Sequence, residues 1–279
     1  MKSLTTALFI AALSATPALA CGGNFGTFVN GLKSEALSKG HSQNAVNTFF
    51  SDVRIDAKVI RADRAQGIFQ MPFVDFSRRL ISNNRLQSAQ RNAAKWDSVF
   101  DRVVQQYGVS RGVLLAFLAF ETDFGAVQGN FNTVNALVTL SHDCRRPELF
   151  RPQVFAALEL YERGDLDPRR TTGAWAGEIG MVQMLPEDII RNGTDGDGDG
   201  KVSLKTSPPD ALMSGGSLLS SLGWRKGEPW LQEITMPSDF DWAQTGLETK
   251  RAASDWVAMG VKPRSGSLQS ASLPASILL

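Results

Sequence analysis

Glu121 ends the apolar run Leu114-Leu-Ala-Phe-Leu-Ala-Phe120 and is followed by Thr122-Asp123-Phe124-Gly125. A carboxyl group at the end of an apolar helix is poorly solvated. Poor solvation disfavours its charged form, so its pKa rises. A carboxyl that keeps its proton near neutral pH can act as a general acid, and glycosidic bond cleavage is the best-known use of one. Taken alone, the stretch is read first as a glutamate reaching solvent or pairing with an arginine, because most glutamates face solvent.

A second set of carboxylates follows a metal-ligand spacing. Asp195-Gly-Asp197-Gly-Asp199-Gly200-Lys201 fits the calcium loop D-x-D-x-D-G. Three carboxylates two residues apart converge on one hard cation, Gly200 permits the sharp turn, and the Lys201 carbonyl is the expected fourth ligand. Thr206 stands where the closing glutamate belongs, and Asp210, four residues on, is the candidate to replace it. The expectation is a structural calcium site of modest affinity and no organic cofactor.

The third stretch is Gly173-Ala-Trp-Ala-Gly-Glu178-Ile-Gly180-Met-Val-Gln183-Met-Leu-Pro186. Its small residues, Gly180 among them, let backbone approach a ligand closely. Gln183 offers both an amide donor and an acceptor, as sugar recognition needs. Glu178 is a second candidate carboxylate, and tight helix packing with a structural Glu178 is the competing reading. The two histidines, His41 and His142, have no ligand cluster around them in sequence, and no nucleophile elbow, P-loop or dinucleotide fingerprint occurs.

Helical patterns must position these groups. Apolar spacing predicts helices over Phe25 to Lys39, from Ser42, over Phe73 to Leu80, and as one long element over Arg85 to Tyr107 closed by Gly108. Ser110 opens the helix that ends at Glu121, and Asn132 caps the next, through Leu140. Further helices are expected over Glu148 to Arg163, Pro186 to Arg191, Pro209 to Leu219 and Ala252 to Met259, with a strand at Trp230 to Ile234. Asp52 to Pro72 reads as irregular. The class is mainly α (α+β), with few short strands.

The 279 residues are enough for a sizeable core, and a net charge of +1 gives no reason to expect nucleic acid or an anionic membrane as a partner. Residues 1–20 have the form of a signal peptide, with Lys2, a short apolar run and Ala18-Leu19-Ala20 before the cut. No later segment is long and apolar enough to span a membrane. The expectation is an exported, periplasmic, monomeric protein beginning at Cys21. Cys21 and Cys144 are the only cysteines. In an oxidising compartment they are expected to pair, with lipidation of Cys21 as the alternative.

Three segments occur in order: Glu121-Thr-x-Phe-Gly, Gly173 to Pro186, and the Asp195 loop. Together with Tyr107-Gly-Val, Ala136 to Leu140, Cys144 to Phe150 and Leu222-Gly-Trp224, they resemble the B-type lytic murein transglycosylases of glycoside hydrolase family 103. The resemblance covers roughly Phe25 to Leu279. It implies a lysozyme-like domain, residues 21–279, with a groove for peptidoglycan strands. It implies that Glu121 is the single acid/base, first protonating the oxygen between N-acetylmuramic acid and N-acetylglucosamine and then accepting a proton from the muramoyl C6 hydroxyl as a 1,6-anhydro ring closes. It also implies that Gln183 lies in the groove and that the Asp195 loop binds calcium. Ala174 stands where some members have serine, and a family segment with active-site Asn and Tyr residues is expected beyond Leu279. Hence the alternative reading of a weak or inactive peptidoglycan-binding remnant. A hydrolase pairing Glu121 with Glu178 or Asp123 is the remaining alternative.

Overall fold

The computed structural model describes residues 22–65 and 71–278. The expected signal peptide lies outside them. So does Cys21, and with it the expected bridge to Cys144. The chain divides into two compact units, one running to Trp224 and the other from Arg225 to Leu279.

The first unit is built from eleven helices among the described residues. α1 (Phe25–Ser38) starts at Asn24 and α2 (Gln43–Phe49) at Ser42, each cap accepting an N–H of the first turn with its side chain. α3 (Ala57–Arg64) and α4 (Phe73–Leu80) follow. α3 occupies sequence read as irregular. It has a single buried apolar residue, Val59, so it presents no periodic stripe, and the Asp56 side-chain cap on Lys58 N marks its start.

The long element expected over Arg85 to Tyr107 is two helices, α5 (Asn83–Lys95) and α6 (Asp97–Tyr107). Trp96 is the joint: it is the C-cap of one and the N-cap of the other, with non-helical backbone. The apolar spacing runs through Trp96 without a break, and so hides it. Gly108 closes α6 in the left-handed conformation, φ 70°.

α7 (Arg111–Thr122), α8 (Thr133–His142) and α9 (Pro147–Arg163) form the centre. Every residue of α8 is buried. Two of its polar side chains are satisfied by the connection between α2 and α3. Asn135 Oδ1 accepts the Arg54 N–H and Thr139 Oγ1 the Asp56 N–H, both at 3.0 Å. An irregular segment thus finds partners for its backbone donors in a helix that must be buried. α10 (Pro186–Asn192) and α11 (Pro208–Ser221) complete the unit, each with proline in its first turn. The Trp224 indole N–H donates to the Gly108 carbonyl at 2.9 Å.

Strands are minimal. β1 (Phe131–Asn132) pairs antiparallel with β2 (Thr172–Gly173), with Phe131 opposite Gly173. In the second unit β3 (Ile234–Thr235) pairs with β5 (Lys262–Pro263), and β4 (Arg251–Ala252) with β6 (Pro274–Ala275). α12 (Ala253–Ala258) buries Trp256 against Phe240, Val261 and Ile277. The strand expected at Trp230 to Ile234 is realised only at its last residue.

Candidate active site

Glu121 sits in the last turn of α7. The helix is stopped by consecutive left-handed residues, Asp123 at φ 51°, Phe124 at φ 59° and Gly125 at φ 87°. The N–H of Phe124 reaches back to the Leu118 carbonyl at 3.0 Å, a Schellman-type closure. Non-glycine residues at positive φ are uncommon. Asp123 is held there by Arg85 Nε on α5 at 3.1 Å.

Thr122, 1% exposed, fastens this end to the third motif. Its hydroxyl donates to the Met181 carbonyl at 2.7 Å and accepts the Gly125 N–H at 3.0 Å. Met181 belongs to a tight turn bracketed by the Ile179–Met184 bridge. Gly180 has φ 84°, and a Cβ there would stand 2.4 Å from Leu204 Cβ. Its glycine follows from both facts. Gln183, at φ 46°, donates both its backbone N–H and its Nε2 to the Gly180 carbonyl, at 3.1 and 2.7 Å. The side-chain amide is thereby fixed, and its Oε1 has no partner among the described residues.

Burial raises the pKa of Glu121. Glu178 is raised as well, first by burial and further by the neighbouring charge of Glu121, while Arg146 opposes the rise. The structure therefore brings Glu121, Glu178, Gly180 and Gln183 into one neighbourhood. Asp123 points to Arg85 instead. Glu178 Oε2 and Arg146 Nε are both buried without a hydrogen-bond partner. Arg146 is held from behind by Asp63, which is 1% exposed and pairs with both Arg145 and Arg146. Burial alone would raise the Asp63 carboxyl, but the two guanidinium groups hold it below the usual carboxylate range. Residue-by-residue reading missed Asp63 and Thr122. The available signals were the paired Arg145-Arg146 and the hydroxyl directly after Glu121.

The acidic loop behaves in the opposite way. Asp195 accepts N–H groups from Gly198, Asp199 and Gly200, and these donors, that of Gly200 foremost, pull its carboxyl below the ordinary range. Asp210, 0% exposed in α11, accepts Gly196 N–H on one oxygen and Ser203 N–H on the other, at 2.8 and 2.7 Å. It ties the two ends of the loop together. Carboxylate oxygens of Asp195, Asp197 and Asp210 lie within 4.8 Å of one another. Asp199 is not in that group, and its Oδ1 accepts the Lys201 N–H. Three converging hard oxygen donors, each with a second lone pair, suit calcium.

The family profile described as Transglycosylase SLT domain matches residues 24–279. Membrane-bound lytic murein transglycosylase B of Escherichia coli (strain K12) is 27% identical over 201 residues, which is 71% of this chain and 55% of that protein. The chain thus spans about half the length of this curated relative. Among solved structures, SltB3 of Pseudomonas aeruginosa in complex with NAG-NAM-pentapeptide is similar with a TM-score of 0.85 and 31% identity, over 91% of this chain and 69% of that one. The Escherichia coli lytic transglycosylase Slt35 in complex with calcium shares the fold, with a TM-score of 0.77 and 24% identity over 90% of this chain and 79% of that one. The mainly helical, lysozyme-like architecture expected from the ordered motifs is the one found, and the chain belongs to the Transglycosylase SLT domain family.

Proposed function

We propose that this chain is an exported lytic transglycosylase that cleaves the β-1,4 bond between N-acetylmuramic acid and N-acetylglucosamine in peptidoglycan, with Glu121 as acid and base. The observation that carries it is the Glu121 carboxyl at the end of α7, open to solvent on one side yet with its proton affinity raised by desolvation. The protonated carboxyl gives its proton to the bridging oxygen as the C1–O4 bond breaks. The carboxylate then takes the proton of the C6 hydroxyl as the C1–O6 bond forms. Acid and base return to their starting states and no water is consumed. One carboxyl serves both steps, so a hydrolytic pair is not required.

Gln183 and Gly180 contact the glycan through the turn that Thr122 fastens, and Glu178 lies beside them as a second carboxyl whose proton affinity is raised by burial. Relatives support the substrate class: one is named a murein transglycosylase, and another is solved with a NAG-NAM-pentapeptide. Asp195, Asp197 and Asp210, with the Lys201 carbonyl, hold a structural calcium ion, as a relative with this fold is solved with calcium. The ion stabilises the loop and takes no part in the chemistry. The protein acts as a monomer in the periplasm, with Cys144 bridged to Cys21.

The deciding experiment is mass spectrometry of soluble products from purified peptidoglycan. Products ending in the 1,6-anhydro ring, one water lighter than the reducing-end products of hydrolysis, are expected. Reducing ends would overturn the mechanism. Binding to the wall with no products would overturn the activity.

A further inference from the structure

We propose that a cleft at the start of α8 is a second site of this protein, one that takes the carboxylate end of a short peptide. The cleft has a volume of about 260 Å³ and opens between the end of α2, the connection to α3 and the turn at residues 168–169. Phe49 and Val134 form an apolar wall, both essentially buried. Its polar wall is unevenly satisfied. Asn135 is 8% exposed and spends its Oδ1 on the Arg54 backbone N–H, while its Nδ2 has no partner among the described residues. Arg54, exposed to solvent, is also a lining residue and has no ion-pair partner among the described residues. Arg169 is already neutralised, with its Nε on Asp52 Oδ2 at 2.6 Å.

The cleft therefore presents one uncompensated positive charge, a nearly buried amide donor and an apolar wall. Unpaired donors of this kind select an anionic acceptor, and a planar guanidinium matches a carboxylate. The volume is too small for a glycan strand and suits a few atoms beyond the carboxylate. The choice of a peptide as occupant rests on the proposed substrate, whose glycan carries peptides, as the pentapeptide bound to SltB3 shows for that relative.

The test is calorimetric titration of the mature chain with the free, sugar-less stem pentapeptide, run beside its C-terminal amide and beside acetate. Binding of the free acid is expected, with a loss of at least tenfold on amidation and in Arg54→Ala. Asn135→Asp keeps the acceptor for Arg54 N–H, places an anion in the cleft and is expected to abolish binding. Arg54→Lys is expected to recover part of the affinity. Equal affinity for acid and amide, no effect of Arg54→Ala, or acetate competing at equal concentration would each overturn the proposal. The side chain of Arg54 is exposed and only its backbone N–H supports the fold, so a folding defect does not mask the result. The pentapeptide contains no glycosidic bond, so failure here leaves the cleavage reading standing, and the product assay tests that reading without this cleft.

Discussion

The carboxyls at the end of α7 and those of the loop before α11 are the same functional group held in opposite ways. Burial raises the proton affinity of Glu121 and of Glu178. One oxygen of Glu178 is buried without a donor, although backbone N–H groups of Ala176 and Glu178 partly offset the rise. Asp195 collects three backbone N–H groups and its proton affinity is lowered. The lesson is that supply of donors, more than density of negative charge, decides whether a carboxyl becomes an acid or a cation ligand. Asp195 is held below the ordinary carboxylate range because the turn aims three N–H groups at it. A single glutamate becomes an acid because the end of an apolar helix offers it none.

That contrast can be broken first at Glu121. Glu121→Gln keeps shape and removes the transferable proton. Turnover on purified peptidoglycan is expected to fall by about two to four orders of magnitude, the usual contribution of a general acid/base. The melting temperature should stay level or rise, because a carboxylate disfavoured by desolvation gives way to a neutral amide. An active variant would end the assignment.

On the loop side the largest effect is expected at Asp210. Asp210→Ala strands the N–H groups of Gly196 and Ser203, one buried and one part-buried, which costs about 2–4 kcal/mol. Thermal unfolding with calcium and with a chelator checks it. The wild-type chain should melt higher with calcium, and the variant should lose that difference. Equal melting of the wild type in both buffers would remove the calcium assignment. Next comes Gly180→Ala, which forces a Cβ onto Leu204 at positive φ and is expected to cost about 1–3 kcal/mol. Denaturant unfolding measures the cost, and activity should fall with it because the Gln183 turn must shift.

The smallest effect is in pH, and its sign differs between the two regions. Glu121 has a raised pKa, so its acid form survives to higher pH than that of an ordinary glutamate. Activity should decline as pH rises through that raised value, and the alkaline limb of kcat/KM should lie above the usual glutamate range. Asp195 has a lowered pKa, so the stability it lends is present above its unfolded value. That stability is lost as pH falls through the folded value. Carboxyl-carbon NMR titration resolves both. Glu121→Gln should also lower the pKa of Glu178, by removing the neighbouring charge that raises it.

Most of the helices were legible because their caps and stripes are local. Ser42, Ser110 and Asn132 cap where they were expected to. The aspartate spacing of the loop was legible for the same reason. The break at Trp96 was not, since a residue that fits the stripe of both helices carries no sign of a joint. α3 was not legible either, because its helix is fixed by a cap and by tertiary contacts rather than by periodicity. In the site, Glu121 stood out through its apolar approach. Asp63, 83 residues from its partner Arg146, did not. A buried ion pair leaves no local pattern at either end.

Thr122 has a consequence in time as well as in space. Its single hydroxyl serves both the end of α7 and the turn that carries Gln183, so neither can open alone without breaking a bond of the other. Amide hydrogens at Gly125, Ile179 and Met184 should therefore exchange with solvent at one common rate, slower than that of the exposed ends around them. The acid and the turn beside it would then be lost and regained as one cooperative unit.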